Sequence, residues 1–179
     1  MSVSDRWELP PLPEEGDHKE AAIFEAVGYA LSRWEFLELR LGAIYGEFLG
    51  VSPDEAVETE KYANAQTFKT RRQVMQEAAE QYFLKHCNQH FESSFLVILN
   101  EAERASRVRN SIAHGIPVLW KGPHNNYRGF VWAPPPYYIK KFEDQRPLYA
   151  LRAQHIQTYA GHFKDLEFEA NDLHTKVAL

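Results

Sequence analysis

Apolar side chains recur along this chain at alternating spacings of four and three residues, the period of an amphipathic α-helix. The longest pattern covers residues 17–48, with Asp17 as its predicted start and Gly50 as its stop. A second pattern covers residues 91–114 and ends at Gly115. Two further helical patterns occupy residues 67–87 and 152–172.

The segments between these helical patterns differ from them in residue composition. Residues 1–16 contain three prolines and predict an extended N-terminal arm, which Trp7 and Leu9 dock on the body or on a partner. Ser52-Pro53-Asp54-Glu55 is a capping-box signature that opens a short helix. Short β-type runs at 116–120 and 130–132 flank a turn cluster and predict a hairpin, and residues 137–142 predict an edge strand.

Together these elements predict an all-α fold. We expect a four- to five-helix up-down bundle with a small β-hairpin, at about 116–142, inserted before the last helix. Residues 1–16 form the arm, and residues 17–179 form a single helical domain. No apolar run approaches the roughly 20 residues that a membrane helix needs, so no membrane association is expected.

Charge is distributed unevenly along the 179 residues, whose net charge is −5. Residues 1–60 carry a net charge of −10, residues 61–152 a net charge of +7, and the last 27 residues a net charge of −2. A basic central segment is compatible with a polyanion-binding face. Two oppositely charged parts of the chain that attract each other would give the same distribution of net charge. The single cysteine, Cys87, excludes an internal disulfide and fits the reducing cytoplasm, and the acidic N-terminus is not typical of a signal peptide.

A polar cluster closes the helix predicted at 91–114. Its buried seam follows the apolar pattern until Arg109, which stands where an apolar side chain is expected. Because a guanidinium does not lose its charge, its burial is costly unless a carboxylate or an anion meets it. Asn110 and His114 are four residues apart and therefore neighbours on the helix surface. The sequence thus places a cation, an amide and a titratable imidazole at one helix end.

The segment Arg109-Asn110-Ser111-Ile112-Ala113-His114 resembles the signature motif of the HEPN superfamily, an arginine and a histidine separated by four to six residues. Asn110 matches a common preference of that family for a polar residue after the arginine. The first long helix, carrying Trp34-Glu35-Phe36-Leu37-Glu38, and the closing helix agree with the family's architecture. The likeness covers about residues 17–173, but only the six-residue motif is sharp.

The resemblance implies a metal-independent endoribonuclease of the toxin or defence type, with no cofactor. It also implies a homodimer whose two motifs face each other at the interface, and an antitoxin or another protein as a further partner. Other HEPN proteins are inactive interaction modules or bind nucleotides, and either role is an alternative here. The predicted catalytic residues are Arg109, Asn110 and His114: the histidine is the acid and base, the arginine binds the phosphate and the asparagine orients them.

Other residues play supporting parts in this hypothesis. Glu38 on the first helix can point inward and steer Arg109, and Arg107 precedes the motif. In the purely structural alternative, Arg109 pairs with Glu38 or Glu35, and His114 caps its helix. Weaker RNA-binding candidates are Arg104, Lys69, Arg71 and Arg72, for which a solvated, mixed-charge surface is the competing interpretation.

Two patterns remain ambiguous. The hairpin region interleaves aromatic and basic residues in a way that suits base stacking, although covering a helical core requires the same aromatics. This set comprises Tyr127, Arg128, Trp132, Tyr137, Tyr138, Lys140 and Lys141. His86 and His90 are spaced to share a metal, but no third ligand of suitable spacing accompanies them, so no metal site is expected.

Overall fold

The computed structural model describes residues 5–121, 127–138, 142–143 and 146–177. Its helices are α1 (Glu20–Leu49), α2 (Pro53–Glu58), α3 (Glu60–Ala63), α4 (Phe68–Lys85), α5 (Gln89–Ala113) and α6 (Ala153–Val177). The strands are β1 (Ile116–Lys121), β2 (Tyr127–Ala133), β3 (Phe142–Glu143) and β4 (Arg146–Pro147). The predicted class, an all-α bundle with a hairpin before its last helix, is confirmed. Within the described residues, no helix combines the length and apolarity needed to cross a membrane.

Local sequence signals set several helix boundaries. Gly50 follows α1 with a φ of 69°, a left-handed conformation that glycine adopts without strain. Ser52 and Glu55 form the predicted capping box at the start of α2. An equivalent reciprocal pair, Thr67 and Thr70, starts α4 and was not predicted. Each box satisfies backbone N–H groups that the first helical turn leaves without partners.

The hairpin forms where the sequence predicts it. Strands β1 and β2 pair antiparallel, with Ile116 opposite Ala133 and Val118 opposite Val131. The predicted turn falls at residues 122–126, outside the described residues. The edge strand expected over 137–142 is wrong at its start, because Tyr137 lies in a turn; residues 139–141 are outside the described range. The short strand β3 begins at Phe142 and pairs with β4.

Close packing divides the chain into two compact units. The first comprises Met1–Trp34 and Arg107–Phe163, and the second comprises Glu35–Ser106 and Lys164–Leu179. In the first unit, Trp34 and Phe163 are buried edge to face, with ring centroids 5.7 Å apart. In the second, Phe48 packs edge to face on Phe95 at 4.9 Å. Aromatic contacts of this kind bury apolar area and also favour particular orientations of the two rings.

The N-terminal arm docks on the first unit. Trp7 is buried and stacks on Phe163 with ring centroids 5.8 Å apart, which settles the predicted docking in favour of the body of the protein. The hydroxyl of Tyr159 donates to the carbonyl of Glu8 at 2.6 Å, and the indole N–H of Trp120 donates to that of Pro13 at 2.8 Å. The arm is therefore held by its backbone as well as by one large side chain.

The sequence pattern predicts that α1 starts at Asp17. This prediction is wrong, because the helix begins at Glu20. Asp17 instead exchanges two backbone hydrogen bonds with Phe130 of β2, at 2.7 and 2.8 Å. Its carboxylate accepts a hydrogen bond from the N–H of Ala153 at 2.7 Å and lies 3.5 Å from Nε of Arg152. The residue thus caps α6, 136 positions away, because a carboxylate is favourable at a helix N-terminus wherever it comes from.

The start of α6 also carries a titratable acceptor. Nδ1 of His155 accepts a hydrogen bond from the backbone N–H of Arg152 at 3.3 Å, so the imidazole serves as a cap in its neutral form. Burial lowers the pKa of His155, the guanidinium of Arg152 lowers it further, and Asp17 partly opposes both. Neutral His155 is therefore the form that the folded protein stabilises.

We expect this cap to make stability sensitive to acid. A folded-state pKa below the unfolded value near 6.5 means that the unfolded chain binds the proton more readily. The contribution is therefore complete above pH 6.5 and declines as the pH falls towards the folded-state pKa. His155→Gln keeps a neutral acceptor at this position and should lose less stability than the wild type between pH 7.5 and 5.5, measured by urea unfolding. Equal losses in the two proteins would contradict the assignment.

Candidate functional site at the end of helix α5

The predicted motif lies in the last turn of α5. Arg107, Asn110 and His114 are spaced by three and four residues, and all three are exposed. This spacing places them along one face of the helix. The backbone N–H of His114 donates to the carbonyl of Asn110 at 3.1 Å, so the helical hydrogen-bond pattern extends to the histidine. The helix end thus presents a guanidinium, an amide and an imidazole as one polar stripe.

Arg109 lies on a different side of the helix from the stripe and is half-buried. Its Nη1 donates to Oδ1 of Asn110 at 3.2 Å, which joins the seam arginine to the exposed face. The guanidinium carbon lies 6.0 Å from the ring centroid of Trp34, at the outer range of a cation–π contact. The structure therefore joins two of the predicted catalytic residues, Arg109 and Asn110, while the exposed His114 lies four residues beyond Asn110 at the same helix end.

Two aromatic side chains complete the end of α5. The indole N–H of Trp132 donates to the carbonyl of Ile112 at 2.9 Å, and the hydroxyl of Tyr149 donates to that of Ser111 at 3.1 Å. These carbonyls belong to the last turn, where the helix has no N–H partners to offer. Burial raises the pKa of Tyr149 to about 12, with a smaller opposing effect from Ser111. The phenol therefore keeps its proton, and its donor role, at neutral pH.

Neither aromatic cap was predicted. Tyr149 carries no predicted role, and Trp132 is predicted only as part of the β-type run at 130–132 and of the aromatic and basic set of the hairpin. The available signal was general: a buried indole or phenol needs a hydrogen-bond partner, and the last carbonyls of a long helix are abundant acceptors. The sequence alone does not predict which of these donors forms a hydrogen bond with which carbonyl.

Gly115 follows the motif because Trp132 leaves room for nothing larger. A Cβ atom at this position would lie 2.1 Å from Nε1 of the indole and 2.5 Å from its Cδ1. The predicted stop after residue 114 is confirmed, since α5 ends at Ala113. The requirement for glycine here comes from close packing against the indole that caps the helix.

The supporting residues have partners of their own. In the second unit, Glu38 accepts two hydrogen bonds from Nη1 of Arg71, at 2.9 and 2.8 Å. Arg71 also donates through Nε to the carbonyl of Ala65 at 3.0 Å. The sequence predicts that Glu38 can steer Arg109, and the pairing of Glu38 with Arg71 was not predicted.

The weaker RNA-binding candidates are mostly engaged in ion pairs of the second unit. Arg104 lies 2.7 Å from Glu101, one turn earlier on α5. Arg72 lies 3.2 Å from Glu103. Lys69 is exposed, as a solvated helix start predicts, whereas Arg71 and Arg72 are half-buried. These pairs favour the mixed-charge interpretation over a phosphate track.

The aromatic and basic set of the hairpin separates into two kinds of residue. Trp132 is buried, and Arg128 pairs with Glu15 of the arm at 3.1 Å. Tyr127, Tyr137 and Tyr138 are exposed. Lys140 and Lys141 lie outside the described residues. Covering the core therefore accounts for Trp132, whereas the three tyrosines lie at the surface.

Among the residues that the structure describes, His86 and His90 do not belong to a group of metal ligands. His86 stacks on Tyr82 with ring centroids 4.5 Å apart. Across the described ranges, no group of three or more His, Cys, Asp or Glu side chains has a geometry suited to a metal ion.

Comparison with known proteins adds no assignment. No family model matches the chain, and no match is found among curated proteins or solved structures. The likeness to the HEPN superfamily therefore rests on the motif and its position at a helix end.

We expect Gly115→Ala to destabilise the protein by about 1–3 kcal/mol, the usual cost of overpacking, because the new methyl group meets the indole of Trp132. Gly161→Ala is the matched control: it lies within α6, and no atom stands within 4 Å of the added Cβ. That variant should be neutral or slightly stabilised by its higher helix propensity. Urea unfolding of both variants measures the difference, and similar unfolding free energies would contradict the tight packing at Gly115.

Proposed function

We propose that this protein is a metal-independent endoribonuclease whose site consists of Arg109, Asn110 and His114. The observation that carries the proposal is the exposed stripe of Arg107, Asn110 and His114, joined to the seam residue Arg109 through the amide of Asn110. A guanidinium, an amide donor and an imidazole within two helical turns provide an anion-binding group and a titratable group together.

The proposed reaction is an internal transfer within the RNA. The 2′-oxygen attacks the adjacent phosphorus, the bond from phosphorus to the 5′-oxygen breaks, and a 2′,3′-cyclic phosphate and a 5′-hydroxyl end result. A base removes the 2′-hydroxyl proton, and an acid donates a proton to the departing 5′-oxygen. His114 performs one of these transfers, while Arg109 binds the phosphate oxygens as negative charge grows on them.

A second imidazole would let both proton transfers occur in one step. We propose that a second copy of the chain supplies it, in a homodimer whose two α5 ends face each other. The exposure of His114 and Asn110 is compatible with such an arrangement. The activity would operate in the cytoplasm, with an antitoxin or another protein controlling it, as the resemblance implies.

The backbone at the end of α5 is held by hydrogen bonds from two buried side chains, and this supports a catalytic role. Trp132 and Tyr149 hold the carbonyls of Ile112 and Ser111, which lie two and three residues before the histidine. Sites of catalysis require side chains held on rigid elements, because small displacements of a reacting group reduce the rate strongly. Packing that fixes the backbone at residues 111 and 112 also limits the positions available to Asn110 and His114.

The test is cleavage of an end-labelled RNA in EDTA by the wild type and by His114→Ala, Arg109→Lys and Asn110→Ala. We expect His114→Ala to lower the cleavage rate by about 10²–10⁴-fold, the usual contribution of a general acid or base. Arg109→Lys keeps the charge but loses paired hydrogen bonding to phosphate, so its rate should also fall. The products should carry 2′,3′-cyclic phosphate ends.

His90→Ala is the matched control, since it removes an exposed histidine from the first turn of the same helix. It should cut RNA at the wild-type rate, and melting curves should show that each variant remains folded. A rate unaffected by His114→Ala would reject the role of the imidazole. RNA binding or protein binding without cleavage by the wild type would favour the inactive-module alternative.

A further inference from the structure

A cavity of about 410 Å³ lies between the N-terminal arm and the start of α6. Three prolines, Leu12 and two carboxylates of the arm line one side, and Arg152 and His155 line the other. The arm and the start of α6 belong to the same compact unit. This volume falls within the range of small-molecule sites, which combine apolar walls with a few polar groups.

The arm side of the cavity is fixed at both ends. At the start of this segment, the hydroxyl of Tyr159 donates to the carbonyl of Glu8 at 2.6 Å. At its end, the indole N–H of Trp120 donates to the carbonyl of Pro13 at 2.8 Å. The proline rings fix φ within the segment, so little conformational freedom remains to be lost when a ligand binds. This wall of the cavity is therefore preorganised.

The α6 side of the cavity carries hydrogen-bond donors. Nδ1 of His155 accepts the N–H of Arg152 at 3.3 Å, so the neutral imidazole carries its proton on Nε2. Nε of Arg152 lies 3.5 Å from Oδ1 of Asp17 and has no hydrogen-bond partner among the residues that the structure describes. The terminal amino groups of a guanidinium are paired donors of the kind that bind carboxylates. The backbone N–H groups of Arg152 and Ala153 are already bonded, so these side chains, not the helix start itself, define the site.

The arm side carries negative charge. Glu14 and Glu15 both line the cavity, and both are exposed. Glu15 pairs with Arg128 at 3.1 Å, whereas Glu14 forms no ion pair with any residue in the described part of the chain. Proline and leucine side chains make up the rest of the lining. The cavity is thus cationic on its α6 side, anionic on its arm side and otherwise apolar.

We propose that this cavity binds a small zwitterion with an apolar side chain, the chemistry of a free aliphatic α-amino acid. Its carboxylate would accept hydrogen bonds from the guanidinium of Arg152 and from Nε2 of His155. Its ammonium group would lie beside Glu14, and its side chain would pack on Pro10 and Leu12.

A ligand with a single charge satisfies only one side of the cavity. An anion would meet Glu14 and Glu15, and Asp17 already offsets part of the charge on Arg152. A cation would meet the guanidinium. Like-charge contacts of this kind exclude the wrong ligand, so a short molecule that carries both charges is favoured. No residue of the proposed ribonuclease site lines the cavity, so this binding site goes beyond the proposed function.

The test uses leucine as the probe and two analogues as comparisons. The first analogue, 4-methylpentanoate, lacks the ammonium group, and the second, 3-methylbutylamine, lacks the carboxylate. Binding is followed from the amide NMR signals of the full-length protein, which also locate the ligand. Leucine should shift the signals of Leu12, Glu14 and His155, and each analogue should bind more weakly than leucine because it leaves one charged side of the cavity without a partner.

Two variants assign the two charges. Arg152→Gln should weaken leucine binding roughly 10- to 100-fold, since a hydrogen-bonded charge is lost, and should not weaken binding of 3-methylbutylamine. Glu14→Gln removes an exposed carboxylate and should weaken leucine binding about 2- to 5-fold, with no effect on 4-methylpentanoate. Glu25→Gln is the matched control, because it removes an exposed carboxylate of α1 that does not line the cavity. It should bind leucine as the wild type does.

The outcomes decide the proposal even if one variant is unstable. Arg152→Gln removes a partner of Asp17 and can disturb the start of α6, whereas Glu14→Gln changes only an exposed side chain. A folded wild type that does not bind leucine would overturn the proposal. Equal binding of leucine and both analogues, or unchanged leucine binding in Glu14→Gln, would also overturn it. Because RNA cleavage is measured on other residues, the zwitterion site and the ribonuclease can fail separately.

Discussion

The end of helix α5 depends on two hydrogen bonds, from the indole of Trp132 to Ile112 and from the phenol of Tyr149 to Ser111. Each donor is a buried aromatic, so each contributes apolar packing and a partner for an otherwise unsatisfied carbonyl at once. The same indole excludes a side chain at position 115. The exposed residues Asn110 and His114 are therefore positioned by elements that follow them in the chain, not by the helix alone.

Asp17 has a similar unifying role elsewhere in the first unit. Its backbone pairs with Phe130 of β2, while its carboxylate caps the first turn of α6 and lies beside Arg152. Contacts over so many residues carry a loop-closure cost that grows only slowly with length, so a few well-satisfied bonds can offset it. The arm, the hairpin and the start of α6 are thus joined at one residue, and the hairpin that carries Trp132 is fixed from its outer edge.

Periodicity and capping signals predicted the long helices, the capping box at Ser52 and the hairpin, because these depend on neighbours in sequence. The polar cluster of Arg109, Asn110 and His114 was also predicted, since Arg109 stands where the buried seam calls for an apolar side chain. The pairings of Glu38 with Arg71 and of Tyr149 with Ser111 were not predictable in this way. Several donors compete for each acceptor, and only the packed arrangement decides between them. The prediction that Asp17 starts α1 was wrong for the same reason. A residue that is well suited to cap a helix need not cap the helix nearest to it in sequence.

Arg109 is a cation at a seam position of α5 where the helical pattern expects an apolar side chain. Its guanidinium is half-buried in the seam, at 6.0 Å from the ring of Trp34, and bonds the amide of Asn110. These contacts offset part of the desolvation cost of a permanent cation. A methionine or leucine would fill the same seam without that cost, because well-packed apolar residues often replace buried charges with no loss of stability. Since Asn110 accepts a hydrogen bond from this cation and lies four residues before the exposed His114, the arrangement is compatible with the anion-binding role proposed for Arg109.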